Sequence, residues 1–213
     1  GDSCSECAPS FFGDACKSSC PGCNGHGYCN PAPSPTTPMC YCDPGFWGNR
    51  CEQVCPGGSA TPCSGHGNCS DGWNGTGLCA CDTGYYGLDC GGVCQCAGGS
   101  TCNDGRTGTG TCACAPGHWG PTCGSECPGG AADVCHGHGN CDEGAEGTGT
   151  CTCWASPQTG YWGAASDCAD CAAGHYGPDC TSPCPACQGG VCDSGVTGTG
   201  TCKCVPGAYG ATC

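Results

Sequence analysis

The sequence predicts a small disulfide-rich fold: a linear array of modules built on short β-hairpins, with little helix and no large hydrophobic core. Three observations predict it. Cysteine supplies 35 of the 213 residues. Runs of six cysteines with nearly the same gaps begin at Cys20, Cys55, Cys94, Cys127 and Cys184. Leu, Val and Phe together number only 11 and Ile is absent, so most of the 37% nominally hydrophobic content is cysteine and alanine. Such a chain cannot bury enough apolar surface to offset its conformational entropy. Cross-links take over that role in small extracellular domains, each typically contributing about 2 to 4 kcal/mol.

The repeat is clearest in the second run, where Cys55, Cys63, Cys69, Cys79, Cys81 and Cys90 are separated by 7, 5, 9, 1 and 8 residues. A fixed period of this kind marks an array of small supersecondary units. Links between consecutive runs hold two or three residues, such as Glu52-Gln53-Val54, Gly91-Gly92-Val93 and Ala169-Asp170. Links so short imply neighbours in contact and a semi-rigid rod.

Within each run the second half reads as a hairpin. Gly-Thr-Gly-Thr-Cys-x-Cys occurs at Gly108, Gly147 and Gly198, with Gly75-Thr76-Gly77-Leu78-Cys79 as a variant. Alternating Gly and Thr suits a short strand with a bulge or a close approach of another backbone. The closing loops carry Gly-aromatic-Gly cores such as Gly45-Phe46-Trp47-Gly48 and Gly84-Tyr85-Tyr86-Gly87. Their glycines are expected at positive φ, and their aromatics are expected to cover a disulfide or the next module's first loop. Two runs depart from the pattern. The first carries a proline-rich tract, Pro31 to Pro38, in place of Gly-Thr-Gly, and the fourth has 14 residues, Trp154 to Asp167, where the others have eight. Both read as surface insertions, where partners bind. A longer period also shows: Cys4, Cys7, Cys16, Cys20 and Cys23 recur 164 residues later as Cys168, Cys171, Cys180, Cys184 and Cys187.

These spacings resemble EGF-like domains, and the extra eight-residue loops Cys7 to Cys16 and Cys171 to Cys180 resemble those of laminin-type EGF domains. Six cysteines alone allow 15 connectivities; the resemblance implies that the first pairs with the third, the second with the fourth and the fifth with the sixth. It divides the chain into residues 1–16, the end of a laminin-type module; 20–51; 55–90; 94–123; 127–180, with its extra loop; and 184–213. The implied bridges are Cys7–Cys16, Cys20–Cys29, Cys23–Cys40, Cys42–Cys51, Cys55–Cys69, Cys63–Cys79, Cys81–Cys90, Cys94–Cys102 and Cys96–Cys112. To these it adds Cys114–Cys123, Cys127–Cys141, Cys135–Cys151, Cys153–Cys168, Cys171–Cys180, Cys184–Cys192, Cys187–Cys202 and Cys204–Cys213. Cys4 is left over. An odd cysteine can bond another chain, stay free, or pair upstream of residue 1, and the register assigns Cys4 to the last of these.

So many bridges persist only in an oxidising compartment, so the expected location is extracellular: a secreted filament, a matrix or a cell surface. A formal charge of -14 with four Lys or Arg argues against nucleic acid and anionic lipid, and no run of membrane-spanning length is present. Cys-x-Cys pairs near histidine could hold zinc or copper, but the disulfide register uses those cysteines, so no metal or other cofactor is expected. His26, His66 and His138 recur in Gly-His-Gly, which points to packing or hydrogen bonding and not to catalysis. Many EGF-like domains bind calcium through acidic residues just before the first cysteine; that motif is absent here, and Asp142-Glu143-Gly144-Ala145-Glu146 reads as a solvated face. No nucleophile elbow, phosphate loop or HExxH motif occurs, so no enzyme activity is expected.

Modification is the positive signal. Asn74-Gly75-Thr76 is an N-glycosylation acceptor, and Asn68-Cys69-Ser70 a poorer one because its middle residue is assigned to a disulfide. Pro31, Pro33, Ser34, Pro35, Thr36, Thr37 and Pro38 read either as O-glycan or hydroxyproline sites or as an unmodified turn. Trp154 and Trp162, in the enlarged loop, are the expected contacts with another chain. The Cys-x-Gly-His-Gly-x-Cys and Gly-Thr-Gly-x-Cys-x-Cys elements resemble EGF-repeat proteins of flagellar hairs (mastigonemes) and ectodomains of stabilin-type receptors. That resemblance implies a structural rod in an extracellular filament, with copies of itself or another glycoprotein as partners. It equally allows the ectodomain of an adhesion or scavenger receptor, and growth-factor signalling is the weakest reading.

Overall fold

The computed structural model describes residues 11–12, 16–20, 22–29 and 39–213. Cys4, Cys7 and the tract Pro31, Pro33, Ser34, Pro35, Thr36, Thr37 and Pro38 lie outside them. The chain forms two compact units, Gly1–Gln95 with Cys102–Thr111, and Cys96–Thr101 with Cys112–Cys213.

Every sheet among the described residues has two strands. One kind of hairpin joins the third cysteine of a run to the fourth and fifth: Gly67–Cys69 pairs antiparallel with Cys79–Cys81, in the register Gly67↔Cys81, Asn68↔Ala80, Cys69↔Cys79. Gly27–Cys29 with Cys40–Cys42, Gly139–Cys141 with Cys151–Cys153, and Gly190–Cys192 with Cys202–Cys204 repeat it. The second glycine of Gly-His-Gly has a steric reason. A Cβ at Gly67 would strike the Ala80 carbonyl across the ladder, and one at Gly139 would strike the Thr152 carbonyl.

The second kind of hairpin is made from the closing loop and the link that follows it. Phe46–Trp47 pairs with Gln53–Val54, Tyr85–Tyr86 with Gly92–Val93, His118–Trp119 with Ser125–Glu126, and His175–Tyr176 with Ser182–Pro183. The links are therefore strands, folded back on the loop before them. Gly45 and Gly48 turn the chain at φ of 84° and 97°, as glycine does without steric penalty. The sixth cysteines Cys51, Cys90, Cys123, Cys168 and Cys213 also lie at positive φ. A side chain in that region costs about 1 to 2 kcal/mol; the disulfide and a backbone hydrogen bond such as Cys51 N–H to the Gly48 carbonyl hold it there.

Sixteen disulfides join the described residues, and with the hairpins they fit tandem EGF-like modules. Helix among the described residues consists of short 3-10 turns, such as Pro62–Gly65, Val134–Gly137 and Ala164–Ser166. The interior is sulfur: among the described residues the buried hydrophobic ones are all cysteines apart from Trp162, and no polar or charged residue is buried. Cys63, Cys79 and Cys90 form one such cluster, beside which Tyr85 packs. The close sulfur trios Cys63, Cys79, Cys90 and Cys135, Cys151, Cys168 each belong to two adjacent disulfides, so they offer no thiolate to a metal.

Trp162 corrects an expectation. It is not a surface contact but a core residue, 5% exposed, packed with Cys135, Cys151, Cys168 and Cys180. Its ring stacks on His138 with centroids 3.3 Å apart, and its Nε1–H donates to the Thr159 carbonyl at 2.8 Å. The physical reason lies in what the insertion replaces. In the first two complete modules the Gly-His-Gly histidine stacks on the first aromatic of the closing loop, His26 on Phe46 and His66 on Tyr85, both at 3.9 Å. The fourth has no aromatic at that spacing, and its longer loop, built on the hairpin Ala155–Ser156 with Gly160–Tyr161, carries Trp162 to the same place over His138. Trp154 stays 38% exposed, edge-on to His138.

Candidate functional site

A junction between successive modules occurs four times with the same backbone bonds. Trp47 makes a parallel bridge to Gly72, Tyr86 to Gly105, Trp119 to Gly144 and Tyr176 to Gly195. At the first, Gly72 N–H donates to the Phe46 carbonyl at 2.9 Å and Gly48 N–H to the Gly72 carbonyl at 3.1 Å; at the third, the Gly144 and Gly120 amides do the same at 3.0 Å. The glycine sits in the turn of the next module's hairpin, so a strand of one module is extended by a turn of the next.

The aromatic side chain completes the contact. Its ring lies over a second glycine of that turn, the last of Gly-Thr-Gly. A Cβ at Gly77 would fall on the Trp47 indole, at Gly110 and Gly200 on the Tyr86 and Tyr176 rings, and at Gly149 on the Trp119 indole. These glycines have φ between 66° and 74°. Glycine is thus required twice over, by backbone conformation and by the ring. The first glycine of each Gly-Thr-Gly meets close backbone, since a Cβ at Gly75, Gly108, Gly147 or Gly198 would strike the Ser70, Asn103, Asp142 or Asp193 carbonyl, while the last meets the ring. The first aromatics Phe46 and Tyr85 pack on disulfides, and the second reach the hairpin turn of the next module, not its first loop. The indoles are further fixed by hydrogen bonds, Trp47 Nε1–H to the Val54 carbonyl at 3.3 Å and Trp119 Nε1–H to the Glu126 carbonyl at 3.0 Å.

A carboxylate from the incoming turn caps the loop before it. Asp71 Oδ2 accepts from Gly45 N–H at 2.9 Å, Asp104 Oδ2 from Gly84 N–H at 2.8 Å, and Glu143 Oε2 from Gly117 N–H at 2.6 Å. In the last junction that position is Ser194, and the acid has changed sides: Asp170, in the link before Cys171, accepts from Val196 N–H at 2.7 Å with Oδ1. A charged acceptor on a backbone N–H gives the stronger class of hydrogen bond, so each junction keeps one.

The hairpin of the last module carries the one ion pair among the described residues. Lys203 Nζ lies 2.6 Å from Asp193 Oδ1. The Lys203 hydrogen bond first, then those from the Thr199 hydroxyl and amide, pull the Asp193 carboxyl down to about 2. Because the folded value lies below the unfolded one, whatever stability the group adds is present above the ordinary carboxylate range and fades as pH falls toward 2. In carboxylate NMR titration Lys203→Met is expected to return Asp193 toward the ordinary carboxylate range; an unchanged midpoint would show that Lys203 does not hold it. The Thr181 hydroxyl and amide likewise lower Asp179.

Asn74 and Asn68 are both exposed, Asn74 in a hairpin turn and Asn68 within the strand Gly67–Cys69. Sequence reasoning missed the junction glycines and their carboxylates. The available signal was an acidic residue before glycine, two positions after the third cysteine in three of the runs: Asp71-Gly72, Asp104-Gly105 and Glu143-Gly144.

No protein-family model matches the chain. Among curated proteins it is 40% identical over 52 residues to integrin beta-like protein E of Dictyostelium discoideum, a stretch covering 24% of this chain and 3% of that protein. It is 54% identical over 44 residues to the angiopoietin-1 receptor of Danio rerio, 20% of this chain and 4% of that protein. To stabilin-2 of Mus musculus it is 52% identical over 49 residues, 20% of this chain and 2% of that protein. These relatives are extracellular or cell-surface EGF-repeat proteins, and the chain spans only a few per cent of their length. The disulfides and the hairpins fit tandem EGF-like modules, and the short likenesses are to proteins of that kind. Among the described residues no helix is long and apolar enough to cross a membrane.

Proposed function

We propose that the chain is a non-catalytic structural segment of an extracellular filament or matrix, a semi-rigid rod of the mastigoneme kind that packs against copies of itself or another glycoprotein. The observation that carries this reading is the junction repeated four times with the same two backbone bonds and a ring on a glycine. A ligand-binding ectodomain needs one specialised module. A structural element needs every step fixed, and uniform steps are what this chain has. Trp154, 38% exposed on the enlarged loop, is the lateral contact this reading offers.

The second reading, a segment of an adhesion or scavenger receptor ectodomain, draws on the likeness to stabilin-2 and to the angiopoietin-1 receptor. Electron microscopy of the native, unreduced protein separates the two. Regular filaments with a repeat set by whole modules are expected from the structural role. Isolated particles, or particles tethered one by one to cells, would overturn it in favour of the receptor.

A further inference from the structure

We propose that Asn74 carries an N-linked oligosaccharide and that Asn68 does not. This rests on the extracellular reading, since the transferase acts in the secretory lumen. Both sequons lie in the second complete module, and the structure treats their side chains differently.

The four Gly-Thr-Gly hairpins align without gaps from the third cysteine to the fourth. In three of them the middle threonine is tied down by its hydroxyl. Thr109 Oγ1 bonds Thr111 Oγ1 at 2.9 Å and accepts from Asn103 Nδ2 at 3.1 Å. Thr148 Oγ1 donates to Asp142 Oδ2 at 2.8 Å and lies 2.9 Å from Thr150 Oγ1. Thr199 Oγ1 donates to Asp193 Oδ2 at 2.9 Å and lies 2.8 Å from Thr201 Oγ1. In the second complete module the corresponding threonine is Thr76, and both of its expected hydroxyl partners are changed. Leu78 stands where the others have threonine, and Ser70 where they have Asn103, Asp142 or Asp193. Ser70 Oγ instead accepts from the Thr76 backbone N–H at 3.3 Å. Thr76 is exposed and its hydroxyl bonds none of the described residues.

That release occurs in the module whose turn holds asparagine two positions earlier, where the others have Thr107, Glu146 or Thr197. Asn74 lies in an open turn closed by Gly75 N–H to the Gly72 carbonyl at 3.0 Å, and it is exposed. An Asn-x-Thr acceptor needs the amide nitrogen and the threonine hydroxyl presented together on an accessible loop, and here the fold leaves both unclaimed. At Asn68 the requirement fails. Asn68 is in a strand paired with Ala80, and its middle residue Cys69 is bonded to Cys55. Trp73, 42% exposed beside Asn74, gives the first sugar an aromatic face to cover.

The transfer forms the bond between Asn74 Nδ2 and C1 of N-acetylglucosamine and breaks the C1–O bond to the pyrophosphate of a lipid-linked oligosaccharide donor. The lipid pyrophosphate leaves with the electron pair, and one amide proton passes to a base of the transferase.

The test is peptide mapping of the chain expressed through the secretory pathway of a glycosylating cell, with peptide N-glycosidase release in heavy-oxygen water. The expected result is a heavy aspartate at position 74, an unchanged Asn68, and a shift in gel mobility abolished by Asn74→Gln or Thr76→Ala but not by Asn68→Gln. An unmodified Asn74, or label at Asn68 alone, would overturn the proposal; mapping the wild-type chain keeps this reading independent of whether a variant folds. Asn74 meets the transferase whether the chain is then secreted or retained, so retention with free thiols would count against the extracellular reading alone.

Discussion

Replacing Trp162 by alanine is expected to remove about 3 to 5 kcal/mol from the stability of the fourth complete module, the range for deleting a buried tryptophan. Among the described residues, Trp162 is the one buried hydrophobic residue other than cysteine. Its loss empties the space over His138, whose Nδ1 lies 3.2 Å from the Cys168 carbonyl, and leaves the Thr159 carbonyl without its indole donor. It also loosens the tie to the extra loop, which the Trp162–Cys171 bridge and the Ala172 N–H to Tyr161 carbonyl bond, 2.8 Å, fasten to the insertion. With disulfides intact the chain stays compact, so the effect is best read by amide hydrogen exchange. Protection at Tyr161, Gly163 and Cys168 should fall at least a hundredfold, since about 1.4 kcal/mol is a factor of ten. Trp154→Ala, at a half-open surface position, should leave the same amides within about threefold of the parent. Equal effects from the two substitutions would refute the placement of Trp162 in the core, and no effect from either would return the loop to a purely external role.

What could be read in the sequence follows from which interactions leave a local trace. Cysteine gaps are such a trace, because each bridge demands two residues of one kind at fixed distances, so the hairpin array without a large core was legible. The pattern of pairs was not, since spacing alone admits many connectivities; the family resemblance supplied it. Trp162 was misplaced because its partner, His138, is far along the chain. Nothing local distinguishes a tryptophan that fills another module's tyrosine position from one on a surface insertion. The links were legible as short but not as strands: Gln53–Val54 alternates nothing and is defined only by its pairing with Phe46–Trp47. Likewise Gly77, Gly110, Gly149 and Gly200 read as strand glycines until the ring of the preceding module is seen above each one. The shift of the carboxylate from the Glu143 position to Asp170 shows why comparison of modules residue by residue could find three of the carboxylates and would lose the fourth. What is retained is a charged acceptor at the junction, from whichever side can reach.

The junction glycine is where a single methyl group should do the most to the relation between modules. Gly149→Ala puts a Cβ into the Trp119 indole and asks alanine to hold φ near 72°. The left-handed backbone costs about 1 to 2 kcal/mol, and crowding of a packed ring about 1 to 3 kcal/mol more. Gly144→Ala is the matched control: it lies at φ 99° in the same turn, but its Cβ meets no atom within 4 Å, so only the backbone cost applies. The two modules, each held by its own disulfides, should remain folded in both variants. In Gly149→Ala the indole must leave, and with it the Trp119 Nε1–H bond to Glu126 and the registered bonds of Gly120 and Gly144. The expected result is a red-shifted Trp119 emission and faster exchange at the Gly120 and Gly144 amides, with the hairpin amides of Cys141 and Cys153 unchanged. A filament built from fixed steps should then lose its regular repeat at the altered junction, whereas a tethered receptor segment would tolerate the added flexibility. Retention of the indole contact in Gly149→Ala would mean that the ring yields without cost and that the glycine is there for its backbone alone.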